Sequence, residues 1–267
     1  MARLVIKLCG ACFVALLVFG MVTMAYADTP PDEVKRAAEE GLPELLSVMP
    51  REELEHFGFK SVDELKIAAL GEPYQVHTIT PQDLKSYEKG TKLSSLISET
   101  NLWYFPIMVD GEARTILTVD FFEGRWQAVG IGDTPLARKL QSLSTQLPIL
   151  LRDKEVNGVY STKFVRIFQV YTDFLAVDSS RGEFIILVNP DRLGMQSNKL
   201  YGPEEIMPKV AESVQQAIQS EGEFGGGAAA SAPEKEAGGR TAIYVLAFGA
   251  VALVGLAIGL LKARRVF

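Results

Sequence analysis

Residues 102–131, LWYFPIMVDGEARTILTVDFFEGRWQAVGI, decide the fold. Residues 102–109 are rich in aromatic and β-branched side chains, which suit a pleated surface. Asp110 and Gly111 follow as a two-residue hairpin signal, because a type I′ turn needs positive φ at both central positions. Residues 113–122 read as a second strand, Glu123 and Gly124 turn the chain again, and residues 125–131 read as a third. The three strands form an antiparallel meander. Pro106 has no N–H for a ladder, so it is expected at an edge or a bulge.

Working outward, the N-terminal side is helical. Acids at Asp32 and Glu33 favour a helix start, and Val34, Ala37, Ala38, Leu42, Leu45, Leu46 and Met49 recur at helical spacing. Gly41 and Pro43 predict a kink or two short helices. Ser61 and Glu64 spell a capping box opening a helix over residues 62–70. Residues 74–79 read as a strand and 81–87 as a helical turn.

On the C-terminal side, Thr134 and Pro135 are expected to cap a helix whose Leu136, Leu140, Leu143 and Leu147 share one face. That face should cover the meander. Residues 163–177 are apolar on both faces and read as one long strand, either central or bent between two sheets. Residues 179–182 turn and 183–188 return. A last helix begins at Pro203 or Pro208, with Val210, Val214 and Ile218 inward.

Strands in antiparallel runs with helices outside them give α+β: antiparallel sheet units covered by helices. Antiparallel strands followed by a Leu/Val-striped helix occur twice, as in a loose duplication. Units of this kind resemble cystatin-like or protease-propeptide modules in architecture, without a diagnostic motif.

The two ends of the chain are apolar. Residues 1–27 have a basic start at Arg3 and Lys7, an apolar run, and small residues at Ala25 and Ala27, as in a secretory signal cleaved before Asp28. Residues 241–261 hold no charge and are long enough to cross a bilayer. Lys262, Arg264 and Arg265 follow, which predicts a cytoplasmic tail at 262–267. Gly255 and Gly259 form a GxxxG that lets two helices approach closely. Gly238 and Gly239 before this stretch also resemble a bacterial surface-protein sorting tail. Residues 221–240 are rich in Gly and Ala and read as a flexible linker. The soluble unit is then residues 28–220, divisible into subunits 28–150 and 151–220.

The chain carries 33 acidic and 27 basic residues, and Arg3, Lys7, Lys262, Arg264 and Arg265 lie in the apolar ends. The stretch between is therefore more acidic than the formal charge of -6, which disfavours nucleic acid as a partner. Both cysteines, Cys9 and Cys12, fall in the signal, so disulfides and thiol chemistry are not expected in the domain.

Little catalytic signal stands out. No Walker, GxGxxG, HExxH or EF-hand pattern occurs, and no cofactor, metal or catalytic residue is expected. Glu52, Glu53 and His56 could share a helical face as ligands, but they read as a solvated helix face followed by a turn; His77 reads as a surface or core-edge imidazole. Asp120 and Asp173 interrupt apolar strands. Trp103, Phe105, Phe121 and Trp126, with Tyr104 and Phe122 beside them, concentrate aromatic surface in the meander, and the first four are the expected partner-binding surface. The resulting expectation is a single-pass, extracytoplasmic, non-catalytic binding or assembly module of a bacterial envelope, with an envelope protein or glycan as partner. The alternatives are a carboxylate- or metal-dependent hydrolase and a protease-inhibitor or propeptide-like regulator.

Overall fold

The computed structural model describes residues 29–156 and 159–224, with side chains as far as residue 220. The expected signal peptide and the apolar stretch 241–261 lie outside the described residues, among which no helix is long and apolar enough to cross a membrane. The elements are α1 (Asp32–Ser47), α2 (Val62–Ile67), β1 (Ala69–Leu70), β2 (Tyr74–Thr78), α3 (Pro81–Lys85), β3 (Ser98–Val109), β4 (Glu112–Phe122), β5 (Arg125–Gly132), α4 (Thr134–Asp153), β6 (Tyr160–Ile167), β7 (Thr172–Ser179), β8 (Gly182–Leu187) and α5 (Pro203–Phe224). The fold is α+β. One eight-stranded sheet runs in the order β5-β4-β3-β2-β6-β7-β8, with β1 paired to β3. Among the described residues, only β2 and β6 pair in parallel. That central pair joins the two meanders, so residues 28–150 and 151–220 share one sheet.

The meander forms as its turns dictate. Asp110 and Gly111 take φ of 50° and 77°, and Glu123 and Gly124 take 52° and 81°. Pro106 is not at an edge, since β3 has β4 on one side and β1 and β2 on the other. It lies where the chain breaks between β1, which pairs with Ile107 and Met108, and β2, which pairs with Trp103 and Tyr104. No ladder N–H is required there, and the Pro106 carbonyl still accepts from the Gly71 N–H at 2.7 Å.

Helices cover both faces. On one face α4 buries Leu136, Leu140, Leu143, Leu147 and Leu151 against Tyr104 and Ile116 of the first meander and Phe164, Leu175 and Ile186 of the second. On the other, α1 covers Trp103, Phe105, Leu117 and Val119, while α5 covers Phe174, Ile185 and Leu187. The two stripe-bearing helices that follow the meanders therefore go to opposite faces, unlike two copies of one unit.

Several local expectations change. Helix α1 is continuous through Gly41 and Pro43. An interior proline costs about 3 kcal/mol. Leu42, Leu46 and Met49 are buried around it, at about 1.5–3 kcal/mol for each fully buried side chain, so packing wins. Gly41 rests on β5 so closely that a Cβ would overlap that of Ala128. Helix α2 stops at Ile67, because Ala69 and Leu70 pair with β3. Ser61 makes no side-chain cap; Glu64 instead accepts from the Lys60 N–H at 2.7 Å and pairs with Arg114 at 2.8 Å. The cap of α4 is Asp133, at φ 64°, which accepts from the Leu136 N–H at 3.1 Å. The long strand expected over residues 163–177 is two strands, β6 and β7, folded back through a turn in which Tyr171 has φ 48°. Both strands are apolar on both faces because α4 lies on one side and α5 on the other. Helix α5 continues to Phe224, into the stretch read as linker.

Candidate interaction surface

The hairpin between β4 and β5 carries two exposed aromatics; Phe168 and Tyr171, on the β6–β7 turn, are exposed as well. Phe121 is 43% exposed and Phe122 56% exposed, while Trp126 is half-buried. Phe121 and Trp126 are direct cross-strand partners, their rings edge-on at 5.4 Å between centroids. Alternation sends Phe122 to the opposite face of the same hairpin. The hairpin end thus presents an aromatic side chain on each face.

Of the four residues expected to form a partner surface, Phe121 and Trp126 come together here. Trp103 and Phe105 do not: each is 3% exposed and lies in the core under α1. Strand alternation places all four on one face of the sheet, where Trp103 and Phe105 sit in the core and Phe121, at the end of β4, stays exposed. Phe122, the most exposed aromatic of the meander, was absent from that set because it belongs to the other face. Its signal was its position beside the Glu123-Gly124 turn, where no helix reaches both sides.

Strand β5 extends this surface along the sheet edge. It ends the strand order, and after the exposed Arg125 its remaining seven residues, Trp126 to Gly132, carry no charge and are all half-buried. Trp126, Ala128 and Ile131 pack toward α1. Among the described residues, no backbone hydrogen bond joins β5 to any element except β4. An antiparallel edge strand turns alternate N–H and C=O groups outward, so β5 offers a row of donors and acceptors. A bulge between Thr118 and Val119 inserts Val129 and adds local twist.

Asp120 borders the hairpin on β4 and accepts from its neighbour's N–H, Phe121, at 2.7 Å. Partial burial raises its carboxyl above the ordinary value, and the Phe121 hydrogen bond opposes that shift only in part.

Asp173 has a different environment. It is 1% exposed and receives Arg166 Nε and Nη2 on separate oxygens at 2.6 and 2.8 Å. Asn189 Nδ2 donates to the second oxygen at 2.9 Å, and Lys139 donates to Asn189 at 3.1 Å. Arg166 Nη1 donates to the Tyr104 hydroxyl at 2.8 Å, and Asp133 lies 3.5 Å from Arg166 Nη2. Burial would lower the Arg166 pKa, but the Asp173 hydrogen bonds and the surrounding negative charge outweigh it and hold the guanidinium above its ordinary value. Burial likewise raises the Tyr104 hydroxyl. Both carboxylate oxygens and all three guanidinium nitrogens are engaged, so the cluster acts as a clamp joining β3, β6, β7 and α4.

The imidazoles stand apart. His56 lies edge-on to Phe57 at 5.4 Å, just beyond the turn holding Glu52 and Glu53. His77 is 1% exposed, not a surface group, and its Nδ1 is 3.2 Å from the Gln75 carbonyl oxygen. Among the described residues, no three His, Cys, Asp or Glu side chains are grouped to hold a metal ion. Comparison of the chain with protein-family models, with curated proteins and with solved structures gives no match.

Proposed function

We propose that this chain is a membrane-anchored, extracytoplasmic binding or assembly module whose contact surface is the β5 edge and the aromatic hairpin beside it. The carrying observation is the uncharged run Trp126 to Gly132, whose outer edge has no backbone partner among the described residues, next to exposed Phe121 and Phe122. Exposed edges in natural proteins are blunted by charge, proline or a covering segment; β5 has Arg125 at its start and the bulge at Val129, and the run between and beyond them is uncharged. An extended partner adds main-chain hydrogen bonds there, while the aromatics supply apolar contact. The anchoring part of the reading is supported by the signal-like residues 1–27 and by the uncharged stretch 241–261 with basic residues after it.

Crosslinking in cells tests this reading. A photoreactive residue placed at Gln127 or Phe122 of the full-length protein is expected to capture an envelope component reproducibly. The same probe at Arg181, on the β7–β8 turn, is expected to capture much less. Equal capture at both positions, or none at either, overturns the surface assignment. Protease treatment of intact cells or spheroplasts that fails to reach residues 29–224 overturns the extracytoplasmic placement.

A further inference from the structure

We infer that the occupant of the β5 edge is a second copy of this chain, paired strand to strand about a two-fold axis. The inference rests on the reading of β5 as the contact surface and names its partner.

Three observations point to self-pairing. Antiparallel pairing of identical edge strands opposes the strand to its own reverse, so any charge within it risks facing its like. Trp126 to Gly132 contain none, whereas the chain as a whole carries a formal charge of -6. A self-contact along β5 therefore avoids the like-charge opposition that an acidic surface imposes elsewhere. The second observation is closure. At the other end of the sheet, β8 is bridged by Tyr201, whose N–H and C=O exchange 2.9 Å hydrogen bonds with Ile185. With the middle of β8 bridged at Ile185, pairing at β5 favours a closed two-copy assembly over a filament. The third lies beyond α5, where Gly255 and Gly259 form a GxxxG within the uncharged residues 241–261. Two such stretches that pair would hold two copies at a local concentration on the order of millimolar, which lets a weak edge contact form.

The pairing needs no new chemistry. Outward N–H and C=O groups of one β5 meet those of the other, and Phe121, Phe122 and Trp126 flank the seam from each copy. Trp126, Ala128 and Ile131 are already packed toward α1, so the strand is held ready and little ordering remains to be done on association.

The test uses the full-length protein in its membrane, with Gln127→Cys and, separately, Arg181→Cys as the control. After treatment with a flexible bifunctional thiol crosslinker, which bridges the seam in any antiparallel register, mass spectrometry should find two copies linked through the cysteine introduced at position 127, with little linkage from position 181. Adding Val129→Lys, which places like charges across the seam, should reduce the linked species on the order of tenfold. The far-ultraviolet circular dichroism spectrum of the Val129→Lys protein, measured alongside, should match that of the parent and exclude misfolding. A dimer that links equally from position 181, or survives Val129→Lys unchanged, overturns the inference. So does loss of the position-127 link with association persisting through the C-terminal stretch alone. Capture of a different protein at position 127 overturns self-pairing and leaves the binding-module reading intact. A monomer at cellular concentration with no capture at position 127 overturns both.

Discussion

The two edges of the sheet are finished differently. At β8 the chain returns to cover its own strand. Tyr201 bridges Ile185 in both directions, and Glu183 accepts the N–H groups of Leu93 and Ser94 at 2.6 and 2.8 Å. At β5, α1 covers one face, and among the described residues the outward backbone has no partner. Both are the outermost strands of three-stranded antiparallel meanders, so strand pairing by itself does not account for the difference. What differs is the chain that follows. After β8, the segment holding Tyr201 stays beside the edge on its way to α5. After β5, Asp133 in the left-handed region turns the chain at once onto the opposite face as α4. A closed edge adds stability, whereas an open one is available for contact.

The contrast can be broken most strongly on the β8 side. Asp173→Ala leaves Arg166 without its buried carboxylate and should destabilise the protein by about 3–5 kcal/mol in urea unfolding. A loss below about 1 kcal/mol would show that the clamp does not hold this half. Tyr201→Ala should cost about 3 kcal/mol from the emptied core position and the lost hydroxyl contacts at Gln196. It should also loosen the β8 edge, seen as faster amide exchange at Ile185.

On the β5 side the effects are smaller. Gly41→Ala forces α1 away from Ala128 and should cost about 1–3 kcal/mol by thermal unfolding. An unchanged midpoint would show that α1 is not seated on β5. Val129→Lys should alter stability by no more than about 0.5 kcal/mol, because it breaks no contact that holds the fold. A large loss there would mean that the edge is structural. Asp120→Asn is the mildest. Its folded carboxyl titrates above the ordinary 3.8, so the stability tied to this group is present below that pH and declines as pH rises through the raised value. The variant should remove that decline, leaving a flatter stability profile between acid and neutral pH; an unchanged profile would place Asp120 in full contact with water.

The local readings that held were those fixed within a few residues. Asp110 and Gly111, and Glu123 and Gly124, adopt the positive φ that their turns require, and the Leu136 to Leu147 stripe is buried along its length. Readings that depended on distant partners changed. Ala69 and Leu70 left a helix for a strand because β3 offered a ladder. Residues 163–177 looked like one strand because period-two alternation is blind to a turn whose residues are themselves apolar; Phe168, Val170 and Tyr171 hid it.

The candidate surface divides in the same way. The sequence by itself determined the antiparallel meander, its two hairpins, the concentration of aromatics within it, and the absence of charge from Trp126 to Gly132. Only the tertiary structure decided that Trp103 and Phe105 are core, that Phe121 and Phe122 are exposed, and that β5 is an edge while β8 is covered. The physical reason is that alternation assigns side chains to a face of a strand through covalent geometry alone. Whether that face or that edge meets water depends on helices and segments far away in the chain, whose placement is settled by the packing of the whole core.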